Sequence, residues 1–399
     1  MGKQGKKHHG RSHSRLREDD DPLPSSAYDS EPPQQQHPLT IDEFPLEEEE
    51  KEAKYKYEEQ SSCDLPSKFV LYQRSVQSPK GDISYMQKFF WTYVGGRLPL
   101  HLREDFCGTA LISAEWLRSD SRRTAVGVDL DIEALTWGLE NNVQQVGADA
   151  YSRICLFHGN VLHSLTNAKC IKSASLGSEN YKSLRETEDN SGSVTDDDEA
   201  DLIKKLEVSE NVQDYCGQKE SSFPAADIVC AFNYSCCCLQ SRSELVLYFK
   251  QAWSAISKKG GIFVMDLYGG TSSEHALKLR RRYEDFMYVW EQEDFNIINR
   301  TTKISLHFYL SKNQRSLRYA FSYHWRLWTL PEIKDCLEEA GFNSVHFWMR
   351  EMPNIQERRE VEEFEVNDNV KYEEISSFNQ KDAWNAYIVG IANKVEKRS

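Results

Sequence analysis

The sequence predicts an α/β protein with a doubly wound, mostly parallel sheet of seven strands and an antiparallel β insertion after the fifth. Two observations predict this class. From Ser67 onward, short apolar runs alternate with segments of helical period. After Leu267 the apolar period changes from helical to two, in runs rich in aromatics and separated by polar turns.

The elements follow in order. Phe69, Val70, Leu71 and Tyr72, then Ile83, Tyr85, Met86, Phe89, Phe90 and Trp91, predict amphipathic helices leading into the core. Leu98–Phe106 reads as the first strand and Thr109–Arg118 as a helix. Thr124–Leu130 is a strand, Ile132–Val146 a helix and Ile154–His158 a strand. Asp227–Phe232, a helix over Ser243–Ser257 and a strand over Gly261–Leu267 resume the pattern. The inserted sheet is expected over 283–328, from Phe286–Glu293, Lys303–Leu310 and Leu317–Trp328. Leu330–Ala340 reads as a helix stopped by Gly341, and Val345–Met349 and Trp384–Ile391 complete the seven strands. The charged stretch Glu351–Asp382 between those last two reads as a long loop.

Charge is divided unevenly along the chain. The net charge is −14. Residues 1–17 carry about +6, residues 18–60 about −12 and residues 177–220 about −8, leaving the rest near neutral. Residues 1–60 and the acidic stretch 166–224 are too polar to pack a core; they read as a disordered tail and a disordered insertion in a domain spanning 67–395. The acidic balance argues against broad nonspecific nucleic-acid binding, which needs clustered Lys and Arg. Apolar runs of membrane-spanning length are absent, so no membrane partner is expected. The ten cysteines lack the spacing of a disulfide framework, and Cys236-Cys237-Cys238 is not a metal-ligand pair. Reduced thiols, a cytoplasmic or nuclear location and no metal are expected.

Three strand ends carry the chemistry: Leu100–Ala110, Ala125–Asp131 and Phe157–Val161. In a doubly wound sheet these ends meet at the switch point where ligands bind. Gly108, with Thr109 and Ala110, makes a small-residue turn that lets backbone approach a ligand. Asp129, 21 residues after Gly108, can accept both hydroxyl protons of a ribose. The amide of Asn160 suits an adenine edge. Glu104 puts negative charge where a cationic ligand would favour it, and strand alternation lets only one of Glu104 and Asp105 face inward.

With these residues the chain resembles a class I S-adenosylmethionine (SAM)-dependent methyltransferase. Arg103-Glu104-Asp105-Phe106-Cys107-Gly108-Thr109-Ala110, Phe286–Phe295 and Tyr323–Glu332, which contains Trp325-Arg326-Leu327-Trp328-Thr329-Leu330-Pro331-Glu332, also resemble a little-characterised group of methyltransferase-like proteins. The likeness covers roughly residues 67–165 and 225–395 and implies a Rossmann-like methyltransferase fold. It implies S-adenosyl-L-methionine as cofactor, held by Glu104, Phe106, Cys107, Gly108, Thr109, Ala110, Asp129, Leu130, Asn160 and Val161. Phe106 and Ala110 stand where the family usually has glycine, and Asn160 where it usually has aspartate.

Asn233 and Tyr234, after the fourth strand, are the candidate catalytic residues. The inserted sheet offers Tyr288, Trp290, Glu291, Tyr323, His324 and Arg326, whose aromatics read mainly as core. Tyr72, Arg74 and Gln77 are expected on a lid. A small-molecule acceptor is favoured. A protein or RNA acceptor docked through the basic N-terminal tail is the alternative, and an inactive SAM-binding scaffold, suggested by Phe106, is a third reading. A nicotinamide dehydrogenase is disfavoured, because no G-x-G-x-x-G follows the first strand.

Overall fold

In a computed structural model, the structure describes residues 66–171, 224–311, 315–353 and 371–392. The expected tail 1–60 and most of the expected insertion 166–224 lie outside the described residues, as do residues 393–395 of the expected domain.

The sheet at the centre has nine strands: β1 (His101–Asp105), β2 (Thr124–Asp129), β3 (Ile154–His158), β4 (Lys169–Ile171), β5 (Ile228–Ala231), β6 (Ile262–Gly269), β11 (Ser344–Met352), β12 (Glu373–Glu374) and β13 (Ala383–Ile391). Their order is β12-β11-β13-β6-β5-β1-β2-β3-β4. The pairs β3–β2, β2–β1, β1–β5 and β5–β6 are parallel, and β13 and β11 close that side antiparallel. The seven expected strands are present, and two short edge strands raise the count to nine. β4 pairs antiparallel with β3, inside the stretch expected to be insertion. β12 pairs with Trp348 and Met349 of β11, inside the expected Glu351–Asp382 loop. Strands of two or three residues carry too little apolar pattern to read from sequence.

Helices cover both faces. α1 (Lys68–Val76), α2 (Pro79–Tyr93), α3 (Leu111–Ser119), α4 (Ile132–Gly138) and α5 (Ala150–Arg153) precede β3 in the chain; α6 (Arg242–Ala255) and α7 (Leu330–Ala340) come later. Met86, Phe89 and Phe90 of α2 join Trp116 of α3 and Leu135 of α4 in one core cluster. Tyr248 and Phe249 of α6 join Ile333 and Leu337 of α7 in the other. Each such side chain, once fully buried, contributes about 1.5–3 kcal/mol. The helix expected over Ile132–Val146 is regular only to Gly138; a π turn over Leu139–Val143 and a 3₁₀ turn over Gln144–Val146 finish it.

The inserted sheet runs over β7 (Leu277–Arg282), β8 (Phe286–Gln292), β9 (Thr301–Leu310) and β10 (Ser316–Arg326), antiparallel in the order β10-β9-β8-β7. It starts at Leu277 rather than 283 and ends at Arg326. Its first strand, Leu-Lys-Leu-Arg-Arg-Arg, exposes Lys278, Arg280 and Arg282, the charged pattern of an edge strand. Aromatics of the inner face, Tyr288, Trp290, Phe308 and Trp325, join the α6–α7 core cluster. The Trp325–Glu332 motif is the joint between this sheet and α7. Thr329 and Glu332 form a capping box, Pro331 sits in the first turn, and Arg326 reaches Glu332 at 3.2 Å and the Gln240 carbonyl at 3.2 Å. Gly341 ends α7 with φ 112°, a left-handed conformation that favours glycine. No helix among the described residues is long and apolar enough to cross a membrane.

Candidate functional site

At the carboxyl edge the strand order reverses between β1 and β5. Three strand-end segments meet there. The turn after β1 alternates left-handed residues, with φ 56° at Phe106, 51° at Gly108 and 52° at Ala110. Only Gly108 takes this conformation without strain, and Phe106 and Ala110 hold it against a cost of about 1–2 kcal/mol each. A Cβ built on Gly108 would meet nothing within 4 Å, so the turn presents bare backbone to open space.

Asp129 ties this turn to the next strand. Its Oδ2 accepts the Gly108 N–H at 2.6 Å and its Oδ1 the Asp131 N–H at 2.8 Å. Each oxygen keeps a second lone pair for a ligand. Burial raises the pKa of this carboxyl, while the N–H groups of Asp131 and Gly108 oppose the rise. Beside it Leu130 is 64% exposed, an apolar side chain left uncovered at the strand end.

Glu104 and Asp105 point to opposite sides, as strand alternation requires, and both are buried. Glu104 accepts the Ser113 N–H at 2.8 Å and the Ser113 hydroxyl at 2.5 Å. Ala110, at the N-cap of α3, has no side-chain oxygen, so Glu104 caps the helix from the neighbouring strand. Burial pushes the Glu104 carboxyl up to about 7, against the two Ser113 bonds. Asp105 is held by Arg103 Nε at 2.8 Å and the Tyr248 hydroxyl at 3.1 Å. Both carboxylates are thus bonded by neighbouring protein groups.

Cys107 is buried; its N–H donates to Val128 at 3.0 Å, and burial pushes its thiol well up. Phe106 lies edge-to-face with Tyr248 at 5.4 Å and packs into the α6–α7 core. Its ring does not fill the space over Gly108. Thr109 is held from two sides: Gln73 of α1 donates to its hydroxyl at 2.7 Å, and Asn142 of the π turn donates to its carbonyl at 2.8 Å. A Cβ at Gly138 would come within 2.3 Å of that carbonyl. Gly138 is required by this close approach, which nothing in the local pattern announces.

After β3, Asn160 Oδ1 accepts the Leu162 N–H at 2.9 Å in an Asx turn. The amide N–H groups of Asn160 and the second lone pair of Oδ1 are left for a ligand. Val161 is buried in the core behind it.

Asn233 and Tyr234 follow β5 with φ 58° each, two consecutive left-handed residues. Asp266 of β6, which was not singled out from sequence, holds them: it accepts the Asn233 N–H at 3.0 Å and the Tyr234 N–H at 2.8 Å. Burial pushes the Asp266 carboxyl up to about 7, against these two bonds. A lone carboxylate inside the apolar run Ile262–Gly269 is the signal that could have found it. The Tyr234 hydroxyl is buried and donates to Asn385 at 3.1 Å, so it supports the corner from behind.

The residues expected on a lid divide. On α1, Gln73 reaches the β1 turn, and Arg74 pairs with both oxygens of Asp285 at 2.7 Å. Tyr72 packs on Phe321 at 4.9 Å. α1 thus spans from the first strand end to the inserted sheet. Gln77 sits just past the helix, with a buried Oε1 that has no partner among the described residues. On the inserted sheet, His324 is exposed, and its carbonyl accepts from Gln240 at 2.7 Å. Glu291 pairs with Lys278 and His307, both at 3.0 Å, while Tyr288, Trp290 and Tyr323 lie on the inner side. Two shallow concavities lie along α4, lined by Ile132, Trp137 and Glu140, and between α2 and α3, lined by Lys80, Gln87 and Glu115.

No protein-family model matches the chain, and no curated protein does. Solved structures similar to it include an S-adenosylmethionine-dependent methyltransferase from Clostridium acetobutylicum, 12% identical with a TM-score of 0.46, covering 81% of this chain and 96% of that one. The CcbJ methyltransferase of Streptomyces caelestis is 11% identical with a TM-score of 0.45, covering 82% of this chain and 92% of that one. SAM-bound CalS10, an amino pentose methyltransferase from Micromonospora echinaspora, is 10% identical with a TM-score of 0.46, covering 84% of this chain and 100% of that one.

Proposed function

We propose that this chain is a SAM-dependent methyltransferase acting on a small molecule. The observation that carries the reading is the Asp129 carboxylate, bonded to the Gly108 N–H at 2.6 Å beside backbone that faces open space. In this reading the ribose diol donates to Asp129, and the methionine end lies over the Phe106–Ala110 turn. The adenine rests on Leu130 and receives a hydrogen bond from the Asn160 amide, with Val161 behind it. Glu104 and Cys107 act through the loop: the first anchors α3 and the second packs beneath Gly108.

SAM supplies the reactive methyl when bound. The residues bind, align and exclude water. Alignment of the acceptor with the methyl group accounts for much of the acceleration in such a displacement. Asn233 and Tyr234 form the corner beside the transferred group, Asn233 by its side chain and Tyr234 by fixing the backbone. Phe106 packs toward Tyr248 and leaves the turn open, which favours an active enzyme over a scaffold.

A small acceptor is favoured because α1 bridges the site through Gln73–Thr109 and Arg74–Asp285. The test incubates the full chain with methyl-labelled SAM and a cell extract split by size. Label in the low-mass fraction supports the reading. Label only in protein or RNA, lost when residues 1–60 are deleted, supports docking through the basic tail. No label in either fraction counts against an active enzyme.

A further inference from the structure

We propose that Cys155 and Cys170 are a reversible disulfide site, whose bond clasps the edge strand β4 to β3 and fixes the Asn160–Val161 segment between them. The bond stands apart from the methyl-donor reading; its effect on cofactor release rests on that reading.

Strand pairing brings the two thiols together. In the antiparallel pair β3–β4, Phe157 lies opposite Cys170, with Leu156 opposite Ile171 and His158 opposite Lys169. Cys155 is two residues before Phe157, so it shares a face with Cys170 as its diagonal neighbour. Their sulfurs meet at 2.7 Å. A disulfide holds its sulfurs at about 2.05 Å, so a small side-chain rotation brings these two to bonding distance. Both cysteines are partly open to solvent, whereas Cys107, Cys230, Cys236, Cys237 and Cys336 are buried. A small oxidant therefore reaches this pair and the exposed Cys238 ahead of the buried thiols.

The clasp acts on the proposed cofactor site because of what lies between its ends. Residues 156–169 run from β3 through Gly159, Asn160 and Val161, then a 3₁₀ turn over Leu165–Asn167, into β4. A Cβ at Gly159 would come within 2.6 Å of the Ala168 Cβ, so the returning chain packs directly on the residue before Asn160. The Gly159 N–H donates to the Asp129 carbonyl at 2.9 Å, and the His158 ring bonds the Leu130 carbonyl at 3.0 Å. Tethering β4 thus steadies the wall that Asn160 shares with Asp129 and Leu130. β4 has three residues and lies at the edge of the sheet. So short an edge makes few ladder bonds and frays readily without a covalent tie.

The exchange balances with a low-molecular-mass disulfide as the oxidant. One cysteine thiolate attacks a sulfur of the small disulfide, whose S–S bond breaks and releases one small thiolate. The second cysteine attacks the protein sulfur of this mixed disulfide, forming the Cys155–Cys170 bond and releasing the second small thiolate. The two protons lost by the cysteines pass to the two small thiolates. The protein gives up two electrons, the small disulfide takes them, and excess small thiol reverses the sequence.

The test equilibrates the full chain in a series of reduced and oxidised glutathione mixtures, blocks the remaining thiols with iodoacetamide and maps peptides by mass spectrometry. A peptide pair joined through Cys155 and Cys170 should accumulate under oxidised glutathione and vanish under the reduced form. In Cys155→Ser, Cys170 should instead retain glutathione, because the second attack has lost its sulfur. The bridged protein should release S-adenosylhomocysteine about threefold more slowly than the reduced protein in stopped-flow. The double variant Cys155→Ser, Cys170→Ser should release it equally in both mixtures. Glutathione held on both cysteines of the parent, or a bridge from either to a different cysteine, would overturn the site. Equal release from the two redox forms of the parent would overturn the clasp. Failure of both forms to bind S-adenosylhomocysteine would instead overturn the donor reading, and the peptide map still decides the bond.

Discussion

Asp129→Ala perturbs the cofactor reading at its centre. The carboxylate holds the Gly108 and Asp131 N–H groups at 2.6 and 2.8 Å and, in this account, both ribose hydroxyls. A hydrogen bond to a charged group is worth about 1.5–3 kcal/mol net, so losing two from the ribose costs about 3 kcal/mol even at the low end. At 1.4 kcal/mol per decade, affinity for S-adenosylhomocysteine should fall about hundredfold. The stranded N–H groups add about 1–3 kcal/mol of destabilisation where water cannot reach them. Calorimetric titration measures the first effect, and a denaturant midpoint on the same preparation measures the second. Asp129→Asn keeps one oxygen for Gly108 and loses the charge, and should fall between, at about tenfold. An affinity within about twofold of the parent in the folded Ala variant would show that this carboxylate does not hold the ligand.

Three further outcomes follow from the site. Gly138→Ala would press a methyl to 2.3 Å from the Thr109 carbonyl, and because that neighbour is backbone the first turn must move. Stability should drop by about 1–3 kcal/mol and S-adenosylhomocysteine affinity should fall with it; a neutral result in both would mean the turn is not packed as described. Glu104, pushed up to about 7, binds its proton more tightly folded than unfolded, so its contribution to stability is full below the ordinary carboxylate range and is lost as pH rises through about 7. Glu104→Gln should flatten that decline in a denaturant series across pH, although Asp266 keeps part of it; identical slopes would contradict the buried carboxyl. Gln73→Ala removes the 2.7 Å tie from α1 to Thr109 and should speed S-adenosylhomocysteine release a few-fold in stopped-flow, about 1 kcal/mol or less. Unchanged release would mean α1 is no lid.

The parts legible in the sequence were those with a strong period or a local stop signal. Ile154–His158 and Leu330–Ala340 with Gly341 occur with the expected bounds. Central strands, buried on both faces, read as apolar runs, and Gly341 marks a helix stop by residue type alone. Elements held by tertiary partners were not legible. β7 exposes three cations because it is an edge strand, and the α4 helix gives way to a π turn whose Asn142 bonds Thr109. The site divides in the same way. Gly108 and Asp129 stand out because close approach and charge restrict which residues fit. The tasks of Glu104 and Asn160 depend on bonds to Ser113 and Leu162 that strand alternation cannot assign. Asp266 emerges only because the sheet order sets β6 beside β5, so that its carboxylate reaches the amides after β5.

The most direct test is calorimetric titration of the purified full chain with SAM and, separately, with NAD. Saturable one-to-one binding of SAM, competed by S-adenosylhomocysteine, with no binding of NAD, is the predicted result. No saturable heat with SAM, or tighter binding of NAD, would contradict the account.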